Sequence, residues 1–399
     1  MKYFTCVLAF IFISTATCFA QLPQKYDNLY KTIFAKDFCA MVQQNPKIVL
    51  LDVRSAGEFC DTSAHSSLNM GHLKGAVNIE IDSIKKNITV MDKYRDSTLI
   101  IYCSHSQRSR RISKLLTENG FTNFYNLNGG MSSINQMTEK DFPCKQNWVQ
   151  SNVHYKNLSN SEALSLYNSE KKLIVLDARP ASQFESKDSI DNNNIGKIKG
   201  AINIPYAELK DRIGELKKYS DRPILVYAAT GDGDAARTAN ELAANGFKNV
   251  YYLMAGLHSL VASQKNLTII ENPLPFSLLD PVQTLALLKN TPGLIIYDTR
   301  MKEEFENKAD KEWRNLGNIK GAINLNTPDF EKLQLPADRN VAILLYGHEE
   351  AFKLGRMLSG KGYTNVNMLE GFYDFVWSSF NVENCKEAKE FIVNHDGLF

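Results

Sequence analysis

Apolar residues fall in short continuous runs along this chain, and stretches with helical periodicity separate the runs. Ile48-Val49-Leu50-Leu51 is one run, Leu99-Ile100-Ile101-Tyr102 another, and Asn123 to Leu127 a third. Ala35 to Gln43 and Arg108 to Glu118 carry apolar positions at helical spacing. Strand-length runs that are apolar throughout and rich in β-branched residues predict parallel strands buried on both faces by helices. A further short strand is expected after Gly75. Gly120, Gly246 and Gly362 stand where helices end, in the position that favours a left-handed residue.

The same order of elements occurs three times, about 125 residues apart, a domain-sized repeat rather than a solenoid one. Ile48 to Arg54 recurs as Leu173 to Arg179 and as Leu294 to Arg300, each ending Asp-x-Arg. Gly75-Ala76-Val77-Asn78 recurs as Gly200-Ala201-Ile202-Asn203 and Gly321-Ala322-Ile323-Asn324. The expected organisation is a leader over 1–20 and α/β domains over 21–150, 151–270 and 271–399, each a mostly parallel sheet with helices on both faces. The proline-rich Asn272-Pro273-Leu274-Pro275 reads as a connector.

Composition changes this picture little. The chain of 399 residues is 44% hydrophobic and 23% charged, with a formal net charge of +2. No basic tract or stacking-aromatic pattern points to nucleic acid, and no apolar run beyond the leader reaches membrane-spanning length. The leader has Lys2, an apolar core from Val7 to Ser14 and small residues before Gln21, the pattern of a cleaved export signal. Lipidation at Cys18 is disfavoured, because Thr15 stands where an aliphatic residue is wanted. The mature chain is expected to be exported, periplasmic or secreted. Sequons at Asn87, Asn157 and Asn266 matter only in a eukaryotic lumen.

Removal of the leader leaves Cys39, Cys60, Cys103, Cys144 and Cys385. An odd count in an oxidising compartment leaves at least one thiol free, and Cys103 is the obvious one. One bridge among Cys39, Cys60 and Cys144 is conceivable; the other reading is buried unpaired thiols.

Comparison of the copies separates scaffold from chemistry. Residues present in all three, such as Asp52 and Arg54, are best read as a structural ion pair. Cys103 is replaced by Ala228 and Gly347, each after a tyrosine, and His105 and Arg108 have no counterparts. His72 is replaced by Lys197 and Asn318, and reads as a loop brace. Cys103 ends a buried strand and opens a loop that becomes a helix N-terminus. Backbone N–H groups and the helix dipole stabilise an anion at their focus, so a thiol there is poised as a thiolate. Arg108, Arg110 and Arg111 add positive potential, but they fan around the helix, so Arg110 or Arg111 reads as a solvated face. No Cys or His spacing fits a structural zinc, and no glycine-rich phosphate loop follows a strand. No metal or cofactor is expected.

With these residues in view the chain resembles the rhodanese (sulfurtransferase) family. The matching pieces are Leu51-Asp52-Val53-Arg54, Glu58-Phe59, Gly71 to Ile79, Tyr102 to Ser109 and Asn128-Gly129-Gly130-Met131. The resemblance implies that Cys103 carries a persulfide and that Ser104, His105, Ser106, Gln107, Arg108 and Ser109 form the substrate-binding loop. It further implies that Arg108 helps bind a small anionic donor such as thiosulfate, with a thiol, cyanide or a protein as sulfur acceptor. Ser106 stands where such loops commonly have glycine, and Lys74 where proline is common. Cys103 and Arg108 enclose four residues, a loop suited to sulfur; the related phosphatases use a five-residue loop, and here that position is Ser109. The expected function is an exported sulfurtransferase with its site in the first domain. The alternatives are a non-catalytic binding or scaffold protein, and a redox protein pairing Cys103 with Cys60 or Cys39.

Overall fold

The structure is a computed structural model. It describes residues 29–394 apart from 139, 141, 232, 264–267, 312–313, 326 and 382. The expected leader and the sequon at Asn266 lie outside the described residues.

Each repeat builds a five-stranded sheet with the same strand order. In the first repeat the order is Lys31–Ile33, Phe124–Leu127, Leu99–Tyr102, Val49–Asp52 and Val77–Asn78, and every neighbouring pair is parallel. Leu99–Tyr102 is the central strand and is buried along its whole length. Leu99, Ile101 and Cys103 alternate onto one face and join Ile112 and Leu116 of the helix Gln107–Glu118 in one core cluster. The outermost strand, Lys31–Ile33, escapes a pattern reading because it is short and mostly exposed. The helix Gly130–Gln136 escapes for the opposite reason: it is buried all round and has no polar face to set a period.

By compactness the chain divides into two units rather than three. One runs to Ala178 and includes Tyr206–Gly256; the other takes Arg179–Pro205 and Leu257 onward. The cut passes through the second repeat, so sequence repeat and compact unit do not coincide there. Each repeat ends on a two-residue strand, at Val149–Gln150, Ile270–Glu271 and Ile392–Val393. Each of these pairs antiparallel with a short strand of its own repeat, for instance His72–Leu73 with Val149–Gln150.

The residues common to the copies form one clamp. Arg54 grips Asp52 through Nε and Nη2 and donates to the Gly71 carbonyl at 2.7 Å. Asn78 donates to the carbonyls of Asp52 and Arg54 at 3.1 and 2.9 Å. Tyr102 offers its hydroxyl oxygen to the Leu73 N–H at 3.1 Å. The third repeat reproduces each contact with Arg300–Asp298, Arg300–Gly317, Asn324 and Tyr346–Ile319. In the second, Arg179 donates to Gly196 and Asn203 to Arg179. The clamp ties the end of one strand to the polar excursion that follows it, and that is why these residues recur without the thiol. The glycines expected to end helices do so with positive φ: Gly120 donates to Thr117 and Phe121 to Leu116, a pairing repeated at Gly246 and Gly362.

Cys39, on the helix Ala35–Gln44, is bonded to Cys144; Cys60 is a free, exposed thiol, Cys103 is a free, buried one, and Cys385 is buried and outside any disulfide. The bridge closes a separation of 105 residues. A loop of about 100 residues corresponds to roughly 4–5 kcal/mol in the chain-entropy account. Replacing both with alanine is expected to lower the unfolding free energy of the first repeat by roughly 2–4 kcal/mol in a denaturant titration. A change below about 0.5 kcal/mol is the contrary result.

Candidate functional site

Cys103 lies at the carboxyl end of the central strand, where ligands bind in open α/β sheets. It is 1% exposed overall, and its thiol is free. Among the described residues, the backbone N–H groups of Ser104, His105, Ser106, Gln107 and Arg108 have no acceptor. Five consecutive donors at a strand-to-helix turn leave a ready position for an anion.

Two devices hold this loop. Ser106 sits in the left-handed region at φ 72°, which costs a non-glycine residue about 1 kcal/mol or more. Its hydroxyl offsets that cost by joining the loop to the next strand end: it donates to Asn128 Oδ1 at 3.0 Å and accepts the Gly129 N–H. The serine in place of glycine is therefore tied down at the position where glycine would be free. The second device is the turn Asn128-Gly129-Gly130. Met131 donates its N–H to the Cys103 carbonyl, and Ser132 donates to the Ser104 carbonyl, both at 3.0 Å. A Cβ on Gly130 would stand 2.1 Å from the Cys103 oxygen, and Gly130 also has positive φ. Only glycine permits that approach.

One ion pair, Arg108 with Glu58, stands beside the cysteine loop. Arg108 reaches both carboxylate oxygens of Glu58, at 2.5 and 2.6 Å, and donates to Ser104 Oγ at 2.8 Å. Glu58 is held from behind by the N–H and hydroxyl of Ser55. Burial pushes the Glu58 carboxyl up, but Arg108 outweighs it and holds the group below the ordinary carboxylate range. Burial likewise opposes the charge of Arg108, and the bonds to Glu58, with the nearby Cys103, raise it further above its usual value. His105 is half-buried in the loop; burial and the Arg108 charge push it down to about 4, so the imidazole is neutral at neutral pH.

The remaining expected residues are placed as follows. Ser109 is buried and donates to the Ser106 carbonyl at 3.1 Å, so it braces the loop from inside. Gln107 is half-buried at the first position of the helix. Asp52 and Arg54 belong to the clamp beneath the site. His72 stacks on Phe59 with ring centroids 4.2 Å apart. Arg110 was expected as one of two candidates for a solvated face; it is 8% exposed, and its guanidinium reaches toward Asn128 at 3.4 Å. Arg111 is the half-buried one. Glu58 is the neighbour of the cysteine loop, through Arg108, that comparison of the copies passes over. Glu304 occupies its place in the third repeat, so it reads as scaffold, and Gln183 takes that place in the second. Among the described residues no cluster of three or more His, Cys, Asp or Glu is placed to hold a metal ion.

The counterpart of Cys103 in the third repeat explains its loss. Gly347 has φ 145°, and a Cβ there would lie 2.2 Å from the Thr299 hydroxyl. No side chain fits that loop without moving its neighbours. In the second repeat, Ala228 is buried at 1% exposure.

Two outcomes are expected from this geometry. Ser106→Ala keeps the strained φ and loses both hydroxyl bonds, so it should destabilise by roughly 1–3 kcal/mol in denaturant unfolding. Gly130→Ala should cost more, because the clash is with backbone. Separately, His105 takes up a proton near 6.5 when unfolded but only near 4 when folded. The unfolded chain thus binds more protons over that interval, and stability falls as pH drops through it. The melting midpoint of wild type should decline from pH 6.5 to 4 more steeply than that of His105→Gln. Equal slopes would contradict the assignment.

Comparison with known proteins agrees with this arrangement. The sequence profile of the rhodanese-like domain matches residues 35–137 and 159–263, which together are more than half of the chain. The chain is 33% identical to the Bacillus subtilis protein YqhL over 102 residues, 26% of this chain and 70% of that one. It is 32% identical to Escherichia coli YibN over 101 residues, 25% of this chain and 63% of that protein. It is 27% identical to the tRNA uridine(34) hydroxylase of Cronobacter sakazakii over 77 residues, 18% of this chain and only 22% of the hydroxylase. Among solved structures, a thiosulfate sulfurtransferase from Pseudomonas aeruginosa is 16% identical with a TM-score of 0.25, over 86% of this chain and 67% of that one. EanB in complex with hercynine is 14% identical with a TM-score of 0.28, over 88% and 97%. Likenesses at that level carry no weight for activity. The two profile matches, the repeated clamp and the cysteine loop together make this chain a member of the rhodanese-like domain family.

Proposed function

We propose that the protein is an exported sulfurtransferase that moves sulfane sulfur, from a donor such as thiosulfate to a thiol or cyanide, through a persulfide on Cys103. The observation that carries this reading is the free thiol set among five backbone N–H groups that have no acceptor among the described residues. In the first step the Cys103 thiolate attacks the outer sulfur of the donor. The donor S–S bond breaks and its electron pair leaves with the carrier, which is sulfite when the donor is thiosulfate. The persulfide anion then rests against the N–H groups of residues 104–108, where helix dipole and donors stabilise it. In the second step the acceptor attacks that outer sulfur, and Cys103 leaves as thiolate.

Export is supported by the leader pattern and by the Cys39–Cys144 bridge, since such bridges persist in oxidising compartments. Among the described residues no helix is long and apolar enough to cross a membrane. The second and third repeats serve as scaffold or binding surfaces on this reading, and the closed loop at Gly347 supports that for the third. The redox alternative loses one of its two partners, because Cys39 is bonded to Cys144.

Incubation with thiosulfate should add the mass of one sulfur atom to the peptide holding Cys103, and subsequent cyanide should release thiocyanate. Cys103→Ser should abolish both. A wild-type protein that gains no sulfur from any sulfane donor overturns the enzyme reading in favour of a non-catalytic one.

A further inference from the structure

One buried charge close to the cysteine loop takes no part in the steps above. Arg110, on the helix Gln107–Glu118, is 8% exposed. Counted back from the helix-ending glycines, its counterparts are Ala236 and Phe352, both buried. Those repeats build sheets of the same strand order, so the fold does not require a guanidinium here. Burying one costs free energy that alanine or phenylalanine does not. The partner of Arg110 follows the same division. Its Nη2 donates to Asn128 Oδ1 at 3.4 Å, and the residues that follow the matching strands are Met254 and Glu370. Arginine and asparagine together are confined to the repeat that keeps the cysteine.

Asn128 Oδ1 also accepts the Ser106 hydroxyl, at 3.0 Å. A guanidinium can only donate, so it selects the oxygen end of the Asn128 amide for this position. With that oxygen beside Ser106, the hydroxyl proton goes to Asn128 and the hydroxyl oxygen is left to accept the Gly129 N–H. Those two bonds tie Ser106 down at φ 72°. We propose that Arg110 is a positioning residue of the cysteine site: through Asn128 and Ser106 it holds the N–H groups of residues 104–108 toward the anion that forms on Cys103. Its effect on rate rests on the sulfur-transfer reading above and deepens it; its effect on the thiol does not depend on that reading.

The test reads iodoacetamide labelling of the peptide that holds Cys103 at about pH 6 and about pH 9.5, the latter above the ordinary ionisation of a thiol. Arg110→Met replaces the guanidinium with an apolar chain. It should slow labelling about tenfold at the lower pH and leave it within about twofold at the higher one. General damage to the loop would change both rates together, so equal changes at the two pH values, or no change at the lower one, overturn the proposal. Asn128→Met, which installs the residue of the second repeat, should slow low-pH labelling at least as much, and the double variant no further. Losses that multiply would mean that Arg110 acts by another route, and would also overturn it. With a sulfane donor, kcat/KM for loading Cys103 should fall by about the same factor in Arg110→Met. If wild type takes no sulfur from any donor, the sulfur-transfer reading fails, and the labelling rates still decide the role of Arg110. If wild type loads and Arg110→Met loads within about twofold of it, the inference alone fails.

Discussion

The carbonyl of Cys103 accepts a hydrogen bond from the Met131 N–H, and the backbone can come that close because residue 130 has no Cβ. The cysteine loop depends on this contact. It aligns the carbonyls of Cys103 and Ser104 on one side, toward Met131 and Ser132, while the N–H groups that follow are left without acceptors among the described residues. Ser106 repeats the tie a little further along, through Asn128 and Gly129. A strand end that is sewn to its neighbour in this way cannot relax and satisfy its own donors. The unsatisfied N–H groups are thus a product of the fold, held ready before any ligand arrives.

Beneath this loop lies a clamp that recurs in the repeats where the cysteine is replaced. A buried arginine with its aspartate contributes little net stability once desolvation is counted, but its geometry fixes which loop meets which strand end. Arg54 and Arg300 do this in the same way, each reaching a carbonyl 17 residues ahead. The third repeat shows how the loop above can differ while the clamp persists: Gly347 packs so tightly against Thr299 that a Cβ would meet its hydroxyl. Scaffold and site are therefore separable in this fold, since they use different atoms of adjacent residues.

Much of this was legible in the chain. The parallel sheets, the three repeats, the helix-ending glycines and the cysteine confined to one copy all follow from local patterns. Local sequence encodes the period of burial and the turn residues directly. The exposed edge strand at Lys31–Ile33 and the wholly buried helix at Gly130–Gln136 were not legible, since neither has a contrast between faces. The comparison of copies isolated Cys103 but could not single out Glu58, because the third repeat retains Glu304 for a different set of partners, Arg314 and His348.

The sequence by itself determined the fold class, the placement of the thiol at a strand-to-helix loop, and the length of that loop. Tertiary structure alone decided how the site is charged and how it is held. Glu58 and Arg108 are 50 residues apart and meet only because two strand ends lie side by side. Cys39 finds Cys144 across 105 residues, and Gly130 reaches Cys103 from the next strand over. Such contacts depend on which strands are neighbours, and periodicity along a chain carries no record of that order.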